Sequence, residues 1–151
     1  MRPLTASGFN GNPVRRRRRL GATILELALT LAILLNLTFG TIEFGYFFFV
    51  KNTVQGAARE GARAAIPPNA ANSDVTTAVN SVLSAAGLRT ADFTTTVKVN
   101  GVVANANTAL AGQQVEVSVT ATWGTVGLRP LGLIGSSKTV LGAATMRREG
   151  N

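Results

Sequence analysis

The chain has 151 residues, a formal net charge of +8, no cysteine and no histidine. The lack of cysteine excludes disulfides and thiolate metal sites, and the lack of histidine removes the most frequent general base and nitrogen metal ligand. No glycine-rich phosphate loop followed by lysine is present, and the acidic residues are scattered along the chain. We therefore expect no enzymatic activity, no metal and no cofactor.

The positive charge is concentrated at the N-terminus. Residues 1–21 contain six arginines and no acidic residue, whereas residues 22–151 contain nine Lys or Arg against seven Asp or Glu. A nucleic-acid-binding surface needs a basic stripe interleaved with aromatic residues, and residues 22–151 lack one. The charge distribution therefore predicts no nucleic-acid partner.

A long apolar stretch begins directly after a block of arginines. Residues 1–14 are predicted to be disordered from their Gly, Pro, Asn and Ser content, and the stretch from Leu20 to Val50 carries only two charges, Glu26 and Glu43. About 20 apolar residues cross a bilayer as a helix, and basic flanks remain cytoplasmic. We predict a single-pass protein of the cell membrane with a cytoplasmic N-terminus and an extracytoplasmic C-terminal domain. The residues of this topology signal are Arg15, Arg16, Arg17, Arg18 and Arg19.

Alternatives stay open for this segment and its acids. A secretory signal has about 7–15 apolar residues and ends at a small-x-small site, but this stretch is longer and no clear site follows before Val50. An uncleaved membrane anchor therefore competes with a processed leader. Glu26 and Glu43 lie about 25 Å apart along a helix, so they can reach opposite headgroup regions or can each have a specific partner.

The helix is predicted to continue beyond the membrane, from Lys51 to Ile66, and to end at Pro67-Pro68. Ala57, Gly61 and Ala65 recur four residues apart and form a face of small residues. Such a face permits close packing of another helix, from a neighbouring subunit or from the same domain.

A short helix and several strands are predicted after the prolines. Ser73 is the expected N-cap, followed by an apolar stripe and a C-terminal Gly87. Residues 93–99, 115–123 and 138–146 read as strands, with an Asn100-Gly101 turn after the first.

The predicted fold class is α+β. A long N-terminal transmembrane helix extends into a small extracytoplasmic domain with one short helix and a three- to four-stranded antiparallel sheet. The predicted boundaries are residues 1–21 for a cytoplasmic basic leader, 22–66 for the transmembrane and extended helix, and 67–151 for the extracytoplasmic domain.

The arginine junction, Arg-Arg-Arg-Arg-Arg-Leu-Gly-Ala-Thr-Ile-Leu-Glu-Leu, resembles the processing site of type IV pilin-like proteins. Residues 21–65 look like the N-terminal region of TadE-like pseudopilins of the tight-adherence pilus system. The most specific matches are the segments 42–45 (Ile-Glu-Phe-Gly) and 57–63 (Ala-Ala-Arg-Glu-Gly-Ala-Arg). The C-terminal pattern, in which a Pro/Gly-containing connection joins two strands, also looks like this family.

The resemblance implies a function in assembly. A prepilin peptidase would cut after Gly21, Ala22 would become the first residue of the mature chain, and Glu26 its fifth. In pilin-like proteins the glutamate pairs with the N-terminal amine of a neighbour. The expected partners are the membrane, the prepilin peptidase, other pilin-like subunits and the pilus assembly machinery. The alternative is a membrane-tethered extracytoplasmic binding module with an uncleaved signal anchor.

Overall fold

The structure, a computed structural model, describes residues 14–149, with side chains from residue 21 onward. Residues 1–13 of the segment predicted to be disordered lie outside the described residues, as do the side chains of the arginine block. The chain divides into two compact units, one up to Thr38 and one from Phe39 onward. The second unit is called the head below.

Helix α1, Val14–Ala64, has 51 residues. Its sequence is rich in Leu and Ala, which favour helix, and contains no proline. The helix closes with Ala65 N–H donating to the carbonyls of Gly61 and Ala62, just before Pro67-Pro68. The predicted end of the helix is correct within two residues.

Helix α2, Asn72–Ala85, has Ala71 as its N-cap and begins two residues earlier than a Ser73 cap requires, so that prediction was wrong. The Asp74 carboxylate instead accepts a hydrogen bond from Ala71 N–H at 2.8 Å. At the other end, Gly87 has a φ of +74°, and Leu88 N–H donates to the Leu83 carbonyl at 3.0 Å. This is a Schellman motif, in which glycine adopts the left-handed conformation without strain.

The head contains four strands and a short helix. The strands are β1 Thr94–Val99, β2 Val102–Val103, β3 Gln114–Thr122 and β4 Thr139–Arg147, and the four-residue helix α3, Trp123–Val126, follows β3. The strands form one antiparallel sheet in the order β2-β1-β3-β4. A short 3₁₀ helix precedes the sheet, and another follows β2. The Asn100-Gly101 turn joins β1 to β2 with positive φ at both residues, as predicted for a tight hairpin.

The core of the head lies between the sheet and the two long helices. The buried face predicted for residues 115–123 is confirmed, because Val115, Val117, Val119, Ala121 and Trp123 are all buried. The opposite face is not uniformly exposed, since Ser118 is buried as well. Residues of α1 and α2 complete the same buried cluster. Helices on an antiparallel sheet, each with an apolar face to bury, form the predicted α+β class.

Strand β4 approaches α1 closely at Gly142. A Cβ atom at this position would lie 2.6 Å from the carbonyl carbon and oxygen of Val54 and 2.7 Å from the nitrogen of Gln55. One residue further on, the Gln55 amide donates to the Ala143 carbonyl at 2.8 Å and accepts from Ala143 N–H at 3.3 Å. The strand therefore packs directly on the helix backbone.

The Gly142→Ala substitution is expected to destabilise the head. The clash is with backbone that cannot rotate away, and such overpacking costs about 1–3 kcal/mol. The measurement is denaturant unfolding of the full chain in detergent micelles.

Gly56→Ala is the matched control for this substitution. A Cβ at Gly56, inside α1, would meet no atom within 4 Å, so alanine should stabilise the helix by roughly 0.5–1 kcal/mol. Equal stability of the two variants would contradict the close approach of β4 to α1.

Candidate membrane anchor and processing site

The apolar half of α1 is uncovered by the part of the chain that the structure describes. Every residue from Gly21 to Phe39 is exposed, and the first buried residue after Gly21 is Gly40. Gly21–Ala64 is a single helix long and apolar enough to cross a membrane, and none of its most apolar window is buried. The core helix of a soluble protein would be mostly buried, so the composition and the exposure together indicate a single-pass membrane protein.

The residues predicted for processing lie at the start of this exposed segment. Gly21, Ala22 and Glu26 all belong to α1 and are all exposed. Within residues 21–149 no hydrogen bond or ion pair engages the Glu26 carboxylate, and a Cβ at Gly21 would meet nothing within 4 Å. The five arginines that precede them continue the same helix in their backbone, while their side chains lie outside the described part of the chain.

Polar side chains within the apolar segment bond to their own helix. The Asn36 amide donates to the Ala32 carbonyl, and the Thr38 hydroxyl donates to the Leu34 carbonyl, both at 2.8 Å. These bonds remove the need for a polar partner in lipid.

The face of small residues on α1 is buried within the chain itself. Ala57, Gly61 and Ala65 are all inaccessible to solvent. A Cβ at Gly61 would lie 2.7 Å from a Val79 methyl on α2 and 3.1 Å from a Val117 methyl on β3. Of the two packing alternatives for this face, the same-domain arrangement is the one that the described residues adopt.

The second acid of the apolar stretch, Glu43, lies in the head and is completely buried. Its carboxylate accepts hydrogen bonds from Ile134 N–H at 2.8 Å and from Leu131 N–H at 3.2 Å. Both donors belong to residues 127–135, called the clasp loop below. An anionic acceptor strengthens such bonds, so Glu43 holds the clasp loop against α1.

Two glycines shape the clasp loop around this carboxylate. Gly132 has a φ of +67°, which turns the chain between the two donating residues and favours glycine. At the start of the loop, a Cβ on Gly127 would lie 2.4 Å from the Trp123 indole. The indole packs edge-on against Phe47, with ring centroids 5.1 Å apart, and near Tyr46 at 6.0 Å. The clasp loop therefore begins beside a cluster of three aromatic side chains.

The sequence showed that Glu43 was unusual but not what it binds. An isolated acid among apolar residues indicates a specific partner, and that alternative for Glu43 is correct. The partner consists of backbone amides about 90 residues away along the chain. Because every residue except proline has a backbone N–H, the sequence does not reveal which ones donate to Glu43. The glycines and the proline between β3 and β4 nevertheless indicate a loop of special geometry.

Replacement of Glu43 by glutamine is expected to loosen the clasp loop. The amide keeps one acceptor oxygen but turns an NH₂ group toward backbone N–H groups, so at least one donor loses its acceptor. Hydrogen–deuterium exchange in a peptide covering residues 127–135 should become roughly tenfold faster.

Glu60→Gln is the matched control for this exchange measurement. Glu60 is half-exposed and makes only a 4.0 Å ion pair with Arg63, so its substitution should leave the clasp loop unchanged. If both variants exchange at the wild-type rate, Glu43 does not hold the loop.

Comparison with known proteins gives one match, and it falls on this helix. Residues 21–63 match the TadE family model, described as TadE-like protein. Neither the curated proteins nor the solved structures yield a match to this chain. The matched range begins at the predicted processing glycine and ends within the small-residue face of α1. Over residues 21–63, the chain is similar to TadE-like proteins.

Proposed function

We propose that this protein is a pseudopilin-like, membrane-anchored component of a tight-adherence type pilus or secretion assembly. It acts by packing its helix and its head against other components, and it catalyses no reaction. The observation that carries the proposal is the coincidence of the TadE-like match with an apolar helix whose residues 21–39 have no cover in the chain itself.

The proposed topology has the arginine block in the cytoplasm and the head outside. Arginines next to a spanning helix are retained on the cytoplasmic side, and none of the acids of the chain precedes Glu26. Partner helices or lipid can then cover residues 22–39, while the head remains free for contacts with other envelope components. This topology supports an assembly function because the spanning helix and the head can contact different components at the same time.

The proposed processing step removes the leader after Gly21. Glycine has no side chain at the scissile bond and lets a peptidase approach the backbone closely. Cleavage would create an amino group on Ala22, about 6 Å of helix rise from Glu26. A carboxylate in lipid is costly without a partner, so Glu26 favours a neighbouring subunit whose amino terminus neutralises it.

Leader removal can be tested directly. We expect protein purified from membranes of cells that also contain a prepilin peptidase to begin at Ala22, by intact mass and N-terminal sequencing. A Gly21→Leu variant should retain residues 1–21, because a side chain at the scissile position blocks access to the backbone.

The control for processing is Gly45→Ala, at a position where a Cβ would meet nothing within 4 Å. This variant should be processed like the wild type. A mature chain that begins at any other residue would contradict the assignment of Gly21, and an intact leader would favour the uncleaved anchor.

The Glu26→Gln variant is expected to enter assemblies poorly. Neutral glutamine removes the cost of an unpaired charge in lipid and with it the preference for an amine partner. Incorporation beside tagged wild-type protein, measured by cross-linking and co-purification, should fall by roughly tenfold. Glu60→Gln is the control outside the apolar segment, and incorporation of Glu26→Gln at the wild-type level would reject this function for Glu26.

A further inference from the structure

The clasp loop carries an exposed apolar patch. Leu128, Leu131 and Leu133 are 53%, 37% and 56% exposed, although they lie within six residues of one another. Exposed leucines concentrated in one loop of a small head indicate a surface that is covered by something else.

The contacts of the clasp loop locate this patch on α1. A Cβ at Gly40 would lie 3.5 Å from a Leu133 methyl, and Leu131 N–H donates to Glu43. The clasp loop therefore lies beside the turn of α1 that contains Gly40 and Glu43. On the same stretch of α1, three large apolar side chains are also exposed, namely Phe39, Ile42 and Phe44.

The length of the apolar helix gives the depth at which this patch would lie. Counted from Ala22, about 20 helical residues cover the roughly 30 Å of bilayer hydrocarbon. That count ends near Ile42, in the turn that holds the clasp loop. The exposed Phe39 and Ile42 thus directly follow the exposed apolar residues 21–38 along the chain.

The charges around the patch fit a phospholipid surface. Arg129 is exposed between two of the leucines, and Lys138 follows the loop. The carboxylate nearest to the patch, Glu43, is covered by the loop's own N–H groups. Apolar side chains flanked by cations match the boundary between acyl chains and phosphates, where arginine can extend toward the phosphate while its stem stays in an apolar environment.

We propose that the clasp loop is a membrane-interface anchor, which inserts its leucines among the phospholipids of the leaflet facing the head. The proposal rests on the proposed function, because it requires that residues 22–39 span the membrane. Glu43 acts here as a positioning residue, since its carboxylate holds the loop on the helix at the depth of the interface.

The test uses the full chain in phospholipid vesicles that contain lipids with a nitroxide near the headgroup end of the acyl chain. The chain has no cysteine, so Leu133→Cys and, separately, Leu128→Cys give single sites for an environment-sensitive fluorophore. Exposed leucines tolerate such labelling. We expect blue-shifted emission and at least about threefold stronger quenching by nitroxide lipids than at the control site.

The matched control is Leu110→Cys, an exposed leucine in another loop (69% exposed). Leu110 adjoins the start of β3 through its hydrogen bonds with Gln113, whereas the clasp loop comes after the end of β3 and α3. Strand β3 itself is nine residues long, about 27 Å.

Each outcome decides the proposal. Water-like emission and weak quenching at both clasp-loop sites would overturn it, and so would blue-shifted emission without lipid quenching, which would mean that protein covers the patch. Release of the unlabelled chain from membranes by alkaline carbonate would instead reject the membrane-spanning function itself. Retention in the membrane with unquenched clasp-loop labels would reject only the interface anchor.

Discussion

The arrangement of the head depends on the burial of one carboxylate. Glu43 is part of an otherwise apolar run, and an unpaired acid there would be unfavourable in a protein core and in lipid alike. The clasp loop satisfies both carboxylate oxygens with backbone N–H groups and covers the side chain completely. The hydrogen bonds of Glu43 therefore join the loop between β3 and β4 to α1, near the end of the exposed apolar segment of that helix.

Helix α1 is exposed along one part and packed in the head along another, where small residues allow close contacts. From Gly21 to Phe39 the residues of α1 are exposed, whereas later positions such as Ala57 and Gly61 are buried under α2 and the sheet. Bulky side chains suit an apolar solvent, but close contact between backbones requires positions with little or no side chain. The change from Leu and Phe to Ala and Gly along the helix thus coincides with the change from exposed surface to packed core.

Periodicity predicted the elements of the fold well because each had a local signal. The alternation in β3, the Asn100-Gly101 turn and the prolines after α1 all depend on neighbouring residues. The start of α2 was placed two residues too late, because the N-cap is Ala71, whose N–H donates to the Asp74 carboxylate at the third helical position. The partner of Glu43 and the cover of the small-residue face depend on contacts between distant parts of the chain, which no local pattern specifies. The assignment of Gly21, Ala22 and Glu26 to processing stays a prediction, which rests on their spacing after the arginine block.

The bond pair between Gln55 and Ala143 has a consequence for how crowded copies of the head behave. β4 is an edge strand, and an edge with free donors and acceptors invites another strand to add to the sheet. The glutamine amide occupies both backbone groups of Ala143, much as an additional strand would, and the α1 backbone lies against Gly142. When copies of the head are crowded on one membrane, the protected edge of β4 therefore hinders strand pairing between them. It also hinders aggregation through this strand.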